Sequence, residues 1–376
     1  MHDSSQRIKF LDYLRGVAVI VMVVGHGIDS VLSMEARSTE LFRLYDAVRG
    51  FTAPIFLFVS GYAFMVATEK RWEEFLVFGR PLLKRVTKML LLLLLGYVLH
   101  FPFFSFTKLL HDTRPGEYAQ LFQVDVLHCL AISILLLQGA ILLVRTQRAF
   151  AIATVVMTSG FVLATPLIWG VDLSPILAPY FNQQQMSIFP LFPYAAFLFT
   201  GALAGHVFVA ARREGRDQVV LLRMLLAGVG AIACGIVFDL MPVTIFPPHD
   251  YWKASPNFFL VRIGAVLLVV AGFAFLKNLP SLVERHLVTL GQASLLVYAV
   301  HLVMVYGSPA NDGLAQVIGQ TLAYHQAFAV GVMVLLLMLA LVHGWNYLRT
   351  HYYMPSRVVQ AGFASSLLYL FFTKPW

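Results

Sequence analysis

The sequence predicts an all-α polytopic membrane protein, a bundle of about ten transmembrane helices with both termini in the cytoplasm. Composition is the first reason: 59% of the 376 residues are hydrophobic, 12% are charged, and the mean hydropathy is +0.77. These values lie outside the usual range of soluble domains. A net charge of +8 would suggest nucleic-acid binding in a soluble protein. Here the basic residues follow a membrane topology instead, so no nucleic-acid partner is expected.

Apolar runs of about 18 residues or more, the length that crosses a ~30 Å hydrocarbon layer, occur at ten places. They are 12–32, 51–68, 87–106, 125–144, 149–169, 189–210, 219–241, 258–276, 288–306 and 327–348. The first run lacks a small-residue cleavage site, so it is interpreted as a retained span rather than a signal peptide. The chain is therefore expected to form one transmembrane domain over residues 1–376.

Lysine and arginine alternate in abundance between successive loops. With a cytoplasmic N-terminus, 20 of the 27 basic residues fall in inner segments, and most of the others fall in outer ones. Cytoplasmic loops of membrane proteins carry such an excess, which predicts that both termini are cytoplasmic. The alternation also supports ten spans, because adding or removing one span would destroy it.

The first span carries the strongest functional signal, the stretch KFLDYLRGVAVIVMVVGHGID at 9–29. At roughly 1.5 Å per helical residue, His26 lies about 16 Å beyond Arg15, near the middle of the hydrocarbon layer. An imidazole at that depth is costly without a polar partner or a water-filled cavity, which predicts a functional site. A packing histidine bonded to a neighbouring helix is the alternative. Asp29 lies on the same helical face one turn further on, and it favours function.

The second inner loop is the most basic part of the chain, with the sequence GRPLLKRVTK. Arg80, Lys84 and Lys88 share one helical face, and Arg85 lies beside them. One interpretation is simple topology with attraction to membrane lipid headgroups. The other is a clamp for phosphate groups delivered from the cytoplasm.

Polar side chains also occur in later spans, near the predicted outer side. Asp125 and His128 are three residues apart at the outer end of the fourth span, and His301 is deep in the ninth. These positions make them candidates for a site within the membrane. The sequence shows no pattern that predicts a metal site.

Arg262 is predicted to lie in the first turn of the eighth span. An intramembrane arginine needs a counter-charge, and Asp239 or Asp29 are the candidates. A purely structural ion pair and a functional one are equally compatible with this position.

Several of these stretches together resemble the transmembrane acyltransferases. RIKFLDYLRGVAVIVMVVGHGID resembles the opening of that family, GFTAPIFLFVSGYAF its second helix and DVLHCLAISILLL its fourth. GQASLLVYAVHLV resembles the late helix that brings in a second histidine, which is His301 here. The branch it resembles is the heparan-alpha-glucosaminide N-acetyltransferase type. The O-acyltransferases of bacterial surface polysaccharides share nearly the same signatures.

The resemblance implies an enzyme of a bacterial inner membrane that moves an acetyl or other acyl group from cytoplasmic acetyl-CoA to an extracytoplasmic sugar or glycan. An intramembrane histidine would act as general base on the acceptor amine or hydroxyl, with Asp29 fixing its tautomer. The catalytic candidates are His26, Asp29 and His301. The cations expected to bind the CoA phosphates are Arg15, Arg80, Lys84 and Arg85. The residues expected to bind the acceptor are Asp125, His128 and Arg262.

Three alternatives stay open at this point. An acyl-histidine intermediate is chemically as feasible as general-base catalysis. A proton-coupled transporter or flippase also uses buried His, Asp and Arg, although such carriers more often show internal repeats with broken helices, and none is visible here. A homodimer is compatible with the sequence, which does not define the oligomeric state.

Overall fold

The computed structural model describes residues 8–101, 103–114, 117, 120–183, 187–242, 245–276, 279–308 and 311–374, which are helical almost throughout. In chain order the α-helices are α1 (Lys9–Val31), α2 (Met34–Arg37), α3 (Glu40–Arg49), α4 (Thr52–Glu69), α5 (Arg80–Leu99), α6 (Phe106–His111), α7 (Val126–Val144), α8 (Gln147–Ile168), α9 (Ala178–Phe181), α10 (Leu191–Arg213), α11 (Asp217–Leu240), α12 (Tyr251–Ala254), α13 (Pro256–Phe275), α14 (Ser281–Gln292), α15 (Ser294–Tyr306), α16 (Leu314–Val317), α17 (Tyr324–His351) and α18 (Tyr353–Thr373). A 3-10 turn, Trp72–Phe75, lies between α4 and α5.

The predicted fold class is confirmed, because the described residues form an all-α polytopic protein. Eight helical segments in this part of the chain are long and apolar enough to cross a membrane, and a bent pair, α14 and α15, makes up to nine. The predicted third span corresponds to α5, whose first turns hold four basic residues and leave only 89–99 without charge. The side of the membrane on which each terminus lies stays a prediction.

The ninth predicted span is broken. Helices α14 and α15 meet at an angle of 78° around Ala293. The break follows Gly291, where α14 packs closely on α1: a Cβ on Gly291 would lie 2.6 Å from the backbone oxygen of Asp12. His301 is therefore carried by a short separate helix rather than by one continuous span.

Contacts between residues divide the chain into two compact units. The first unit consists of Met1–Thr52, Val98–Leu121 and Asn278–Trp376, and the second of Ala53–Tyr97 and Phe122–Lys277. The single domain expected from the sequence stays a prediction.

In the first unit, α1 packs against α14, α15 and α17. Small residues make this packing close, since a Cβ on Gly27 of α1 would lie 2.7 Å from the Cα of Gly331 on α17. Apolar side chains fill the remaining space, among them Val19 and Val23, which are fully buried. Both ends of α1 are also fixed: Lys9 pairs with Glu284 at 2.7 Å, and a backbone bridge joins Leu32 to Leu322. Helix α1 is thus held along its whole length.

In the second unit, α10 packs against α8, α7 and α11, and α11 packs against α13. Glycines again allow close approach, because a Cβ on Gly205 of α10 would lie 2.8 Å from the backbone oxygen of Tyr62 on α4. The core is rich in large side chains, with Phe58, Phe197 and Phe199 fully buried. The N-terminal end of α7 is also buried, with Asp125 and His128 among the buried residues.

Candidate active site

His26 and His301 form a hydrogen-bonded pair in the first unit. Nδ1 of His26 lies 2.9 Å from Nε2 of His301, and their ring centroids are 5.1 Å apart. His301 is completely buried and His26 is partly buried. The two histidines singled out in the sequence, 275 positions apart, therefore meet in one site.

The hydrogen bonds define the tautomer of each ring. Nδ1 of His301 lies 2.7 Å from the backbone oxygen of Val297. A carbonyl only accepts, so Nδ1 of His301 carries the proton and its Nε2 is an acceptor. Nδ1 of His26 must then donate to that nitrogen. A neutral His26 is left with a lone pair on Nε2, which is the atom that a general base uses.

Glycines on either side of His26 let neighbouring helices come close to it. Gly27 contacts the backbone of α17, as described above. A Cβ on Gly25 would lie 3.2 Å from Cδ of Arg49 on α3. The ring of Tyr306, at the end of α15, lies edge-on to the His26 ring with centroids 5.6 Å apart.

Asp29 does not make the contact that the sequence analysis expected of it. Its carboxylate pairs with the guanidinium of Arg49 and accepts a hydrogen bond of 3.3 Å from the hydroxyl of Tyr45. Arg37 donates to its backbone oxygen. The group that orients His26 is the His301 ring, because it occupies the Nδ1 side of the imidazole.

Tyr45, Arg49 and Tyr306 are the site residues that sequence reasoning missed. Tyr45 and Arg49 are four residues apart on α3, so they share the face that contacts α1. The hydroxyl of Tyr45 also donates to the backbone oxygen of Gly25 at 2.9 Å. The sequence held one signal for this helix: Thr39 caps its N-terminus, and acidic and basic residues follow at helical spacing.

Asp125 and His128 form a second buried pair, in the second unit. Asp125 is the N-cap of α7, and its Oδ1 lies 2.7 Å from Nδ1 of His128. The side chains are 3% and 0% exposed. The two residues that the sequence grouped by spacing are thus in direct contact.

The four basic residues of α5 separate into two groups. Arg80, Lys84 and Lys88 are exposed and, with Thr87, line a shallow groove. Arg85 instead points inward: Nη1 donates to Gln138 at 2.6 Å, Nη2 donates to Thr68 at 2.9 Å, and the guanidinium lies 3.5 Å from the ring centroid of Phe75. Both of its Nη atoms donate inside the protein, so Arg85 is less available to a phosphate than the three exposed residues.

Arg15 and Arg262 complete the predicted set. Arg15 is partly buried on α1, in the first unit. Arg262, in the second unit, lies 4.3 Å from the ring centroid of Phe258. Within the described residues it forms no ion pair: Asp239 is not its partner, and Asp29 pairs with Arg49. The expected counter-charge is therefore wrong, and an aromatic face takes its place.

The fold and the paired histidines define an integral membrane protein with a buried imidazole suited to proton transfer. The described residues contain no cluster of three or more potential metal ligands. Residues 7–226 match the sequence model of the heparan-alpha-glucosaminide N-acetyltransferase catalytic family. That match covers more than half of the chain, so the protein belongs to this family and has an acetyltransferase-type function. A search of curated protein sequences finds no significant match.

Proposed function

We propose that the protein transfers an acetyl group from acetyl-CoA to an amine or hydroxyl of an extracytoplasmic sugar, with His26 as the general base. The observation that carries the proposal is the hydrogen-bond chain from Val297 through His301 to His26. It leaves the lone pair of His26 on Nε2, where an acceptor N–H or O–H can meet it. The family supports the acetyl group and the sugar amine, since both are in its name.

The proposed reaction is one acyl transfer. Nε2 of His26 takes a proton from the acceptor as the acceptor nitrogen or oxygen attacks the thioester carbonyl. The carbon–sulfur bond then breaks, and the proton passes from His26 to the leaving thiolate to give free CoA. His301 donates to no side chain and accepts from His26 throughout, so its role is to hold the ring and to stabilise its charged form.

For the acyl donor, acetyl-CoA, the structural support comes from α5. Arg80, Lys84 and Lys88 are exposed along one groove, and they are the cations proposed to bind the CoA phosphates. Arg85 is removed from that set because its guanidinium is bonded inside the protein. Arg15 stays a candidate from the sequence.

For the acceptor, we keep Asp125, His128 and Arg262 as proposed contacts. The inner (plasma) membrane as location and a homodimer as assembly are also proposals, which rest on the sequence alone.

The test is acetyl transfer by the purified chain with acetyl-CoA and D-glucosamine. His26→Ala is expected to reduce kcat by at least 100-fold while acetyl-CoA still binds, because the base acts on the acceptor proton and not on the phosphates. The matched control is His286→Gln. It removes a similar imidazole pair in the same unit, His286 Nδ1 to His343 Nε2 at 3.1 Å, and should leave kcat unchanged.

Retention of more than a tenth of the wild-type turnover by His26→Ala would contradict the proposal. Rapid-quench measurement separates the two chemical routes. A burst of free CoA before acceptor is added would indicate an acyl-histidine. A transporter would neither cleave acetyl-CoA nor bind it in competition with CoA.

A further inference from the structure

Tyr306, at the end of α15, contacts the proposed general base and is also exposed. Its ring lies edge-on to the ring of His26, with centroids 5.6 Å apart and an angle of 66° between the planes. The residue is 41% exposed, although His301 on the same helix is completely buried. Tyr306 and His26 belong to the same unit. The exposed part of the tyrosine is therefore beside the base, where a ligand of His26 would lie.

The main chain around Tyr306 is fixed by hydrogen bonds. Nε2 of Gln316 donates to the backbone oxygen of Tyr306 at 2.9 Å, and Nδ2 of Asn311 donates to that of Val303 at 3.2 Å. Gly307 follows with a φ of +80°, a conformation that favours glycine, and the helix ends there. The end of α15 is thus held in place without any hydrogen bond from the Tyr306 side chain.

The hydroxyl of Tyr306 differs from that of Tyr45, the other tyrosine of the site. The Tyr45 hydroxyl donates to the backbone oxygen of Gly25 at 2.9 Å. Within the described part of the chain, the Tyr306 hydroxyl makes no hydrogen bond. Its polar neighbours are Tyr45, Arg37 and Arg49, which interact with it electrostatically. Because a hydroxyl can both donate and accept, this one is available to a ligand in either role.

These features suit a sugar. A hexosamine has hydroxyl groups around its edge and C–H groups on its faces, and a tyrosine side chain likewise combines an apolar ring with a polar tip. The alternative is that Tyr306 only packs against His26. Such packing needs the ring and not the hydroxyl, so phenylalanine would serve it equally well.

We infer that Tyr306 is a contact residue for the acceptor: its hydroxyl forms a hydrogen bond with a hydroxyl of a hexosamine that does not react, and its ring packs on the sugar beside His26. The ligand class rests on the proposed function, while the contact lies entirely in the first unit. A bond to a group that does not react is about equally strong in the ground state and the transition state. It therefore contributes to acceptor binding rather than to kcat.

The experiment is direct binding of D-glucosamine to the full chain in detergent, without acetyl-CoA so that no turnover occurs. Tyr306→Phe is the main variant, because it keeps the ring beside His26 and removes only the hydroxyl. Affinity is expected to fall about fivefold, the value of one neutral hydrogen bond. Tyr306→Ala removes the ring as well and should weaken binding further. The matched control is Tyr347→Phe on α17, an exposed tyrosine stacked on His351, which should bind as the parent does.

Steady-state acetyl transfer provides a second measurement. In Tyr306→Phe the KM for D-glucosamine should rise about fivefold, while kcat and the KM for acetyl-CoA stay nearly constant. A fall in kcat without a change in this KM would overturn the inference, because the hydroxyl would then act on the reacting atoms. Thermal unfolding of Tyr306→Phe should match that of the parent, since the hydroxyl bonds none of the described residues.

Equal affinity of the parent and Tyr306→Phe for D-glucosamine would also overturn the inference, since the residue would then only pack against His26. Failure of the parent to bind D-glucosamine would overturn it too. The proposed function fails separately, when the parent binds D-glucosamine but does not transfer acetyl. A fivefold loss of affinity in Tyr306→Phe together with absent transfer would support the contact and contradict the reaction.

Discussion

Each unit holds a histidine whose Nδ1 is hydrogen-bonded inside the protein, but the groups that it contacts differ. In the first unit, the chain from His26 passes through His301 and ends on the backbone oxygen of Val297. In the second, His128 is fixed by the carboxylate of Asp125. A carboxylate adds negative charge beside the ring, whereas a neutral imidazole and a carbonyl add none.

That difference indicates different tasks. A ring without a carboxylate at its other nitrogen releases a captured proton more readily, which suits a base that must return the proton to a leaving thiolate. Asp29, the acid nearest to His26 along α1, is paired with Arg49 and adds little net charge. Nδ1 of His128 lies against both the carboxylate oxygen and the backbone N–H of Asp125, which together fix the orientation of the ring at the start of α7.

Among the substitutions that test this comparison, one at His301 is expected to have the largest effect. His301→Leu removes the acceptor for Nδ1–H of His26, so the ring loses its tautomer and its orientation. Acetyl-transfer kcat should fall by about 100-fold with little change in the KM of either substrate. Steady-state kinetics of the purified protein measure this. An unchanged kcat would mean that His26 does not need His301 as its hydrogen-bond acceptor.

A smaller effect is expected at the ion pair beside His26. The side chains of Asp29 and Arg49 are 10% and 33% exposed, so this pair is intermediate between a surface pair and a buried one. Asp29→Asn should cost about 1 kcal/mol of stability, since Arg49 loses one of its two carboxylate partners and keeps Asp46 at 2.6 Å. The double change Asp29→Asn with Arg49→Gln should cost less than the sum of the two single changes. Thermal unfolding in detergent checks this, and additive losses would show that the pair is not coupled.

The smallest effects on kinetics are expected from substitutions of two neighbouring residues on α5, Lys84 and Arg85. Lys84→Ala should raise the KM for acetyl-CoA several-fold with kcat nearly constant, and added salt should reduce the difference, because the groove is exposed. Arg85→Ala should lower stability by about 2 kcal/mol, since the buried Oε1 of Gln138 and Oγ1 of Thr68 lose the N–H groups from which they accept. The reverse pattern, a KM effect at Arg85 alone, would return the phosphate role to that residue.

Much of the fold could be predicted from the sequence because the bilayer imposes length and polarity on every span. All ten apolar runs overlap helices of the structure, and most ends agree within a few residues. Among the described residues, however, eight helical segments, or nine with the bent pair, are long and apolar enough to cross a membrane, rather than ten. The break around Ala293 could not be predicted, because hydropathy continues through it and the Gly291 contact with α1 beside it joins residues distant in the sequence.

Only those residues of the candidate site that are unusual for their place in the sequence could be predicted. A histidine inside an apolar run is visible as an anomaly, so His26 and His301 could be named. Their mutual contact, and the pairing of Asp29 with Arg49, depend on how distant helices pack, which spacing does not reveal. On α5, the helical period correctly grouped Arg80 and Lys84, while Arg85 lies about 100° around the axis from Lys84 and points inward.

The close contacts of α1 restrict which relatives can share this chemistry. A Cβ on Gly331 would lie 2.7 Å from the backbone oxygen of Val24, and one on Gly27 would meet the backbone of Gly331. Backbone atoms cannot turn aside as the end of a side chain can, so alanine at either position would push α17 away from α1. In a chain with His26 and His301 but without these glycines, α17 would lie further from α1, and the surroundings of both histidines would change. On the proposed function, an active relative is therefore expected to keep the two glycines as well as the two histidines.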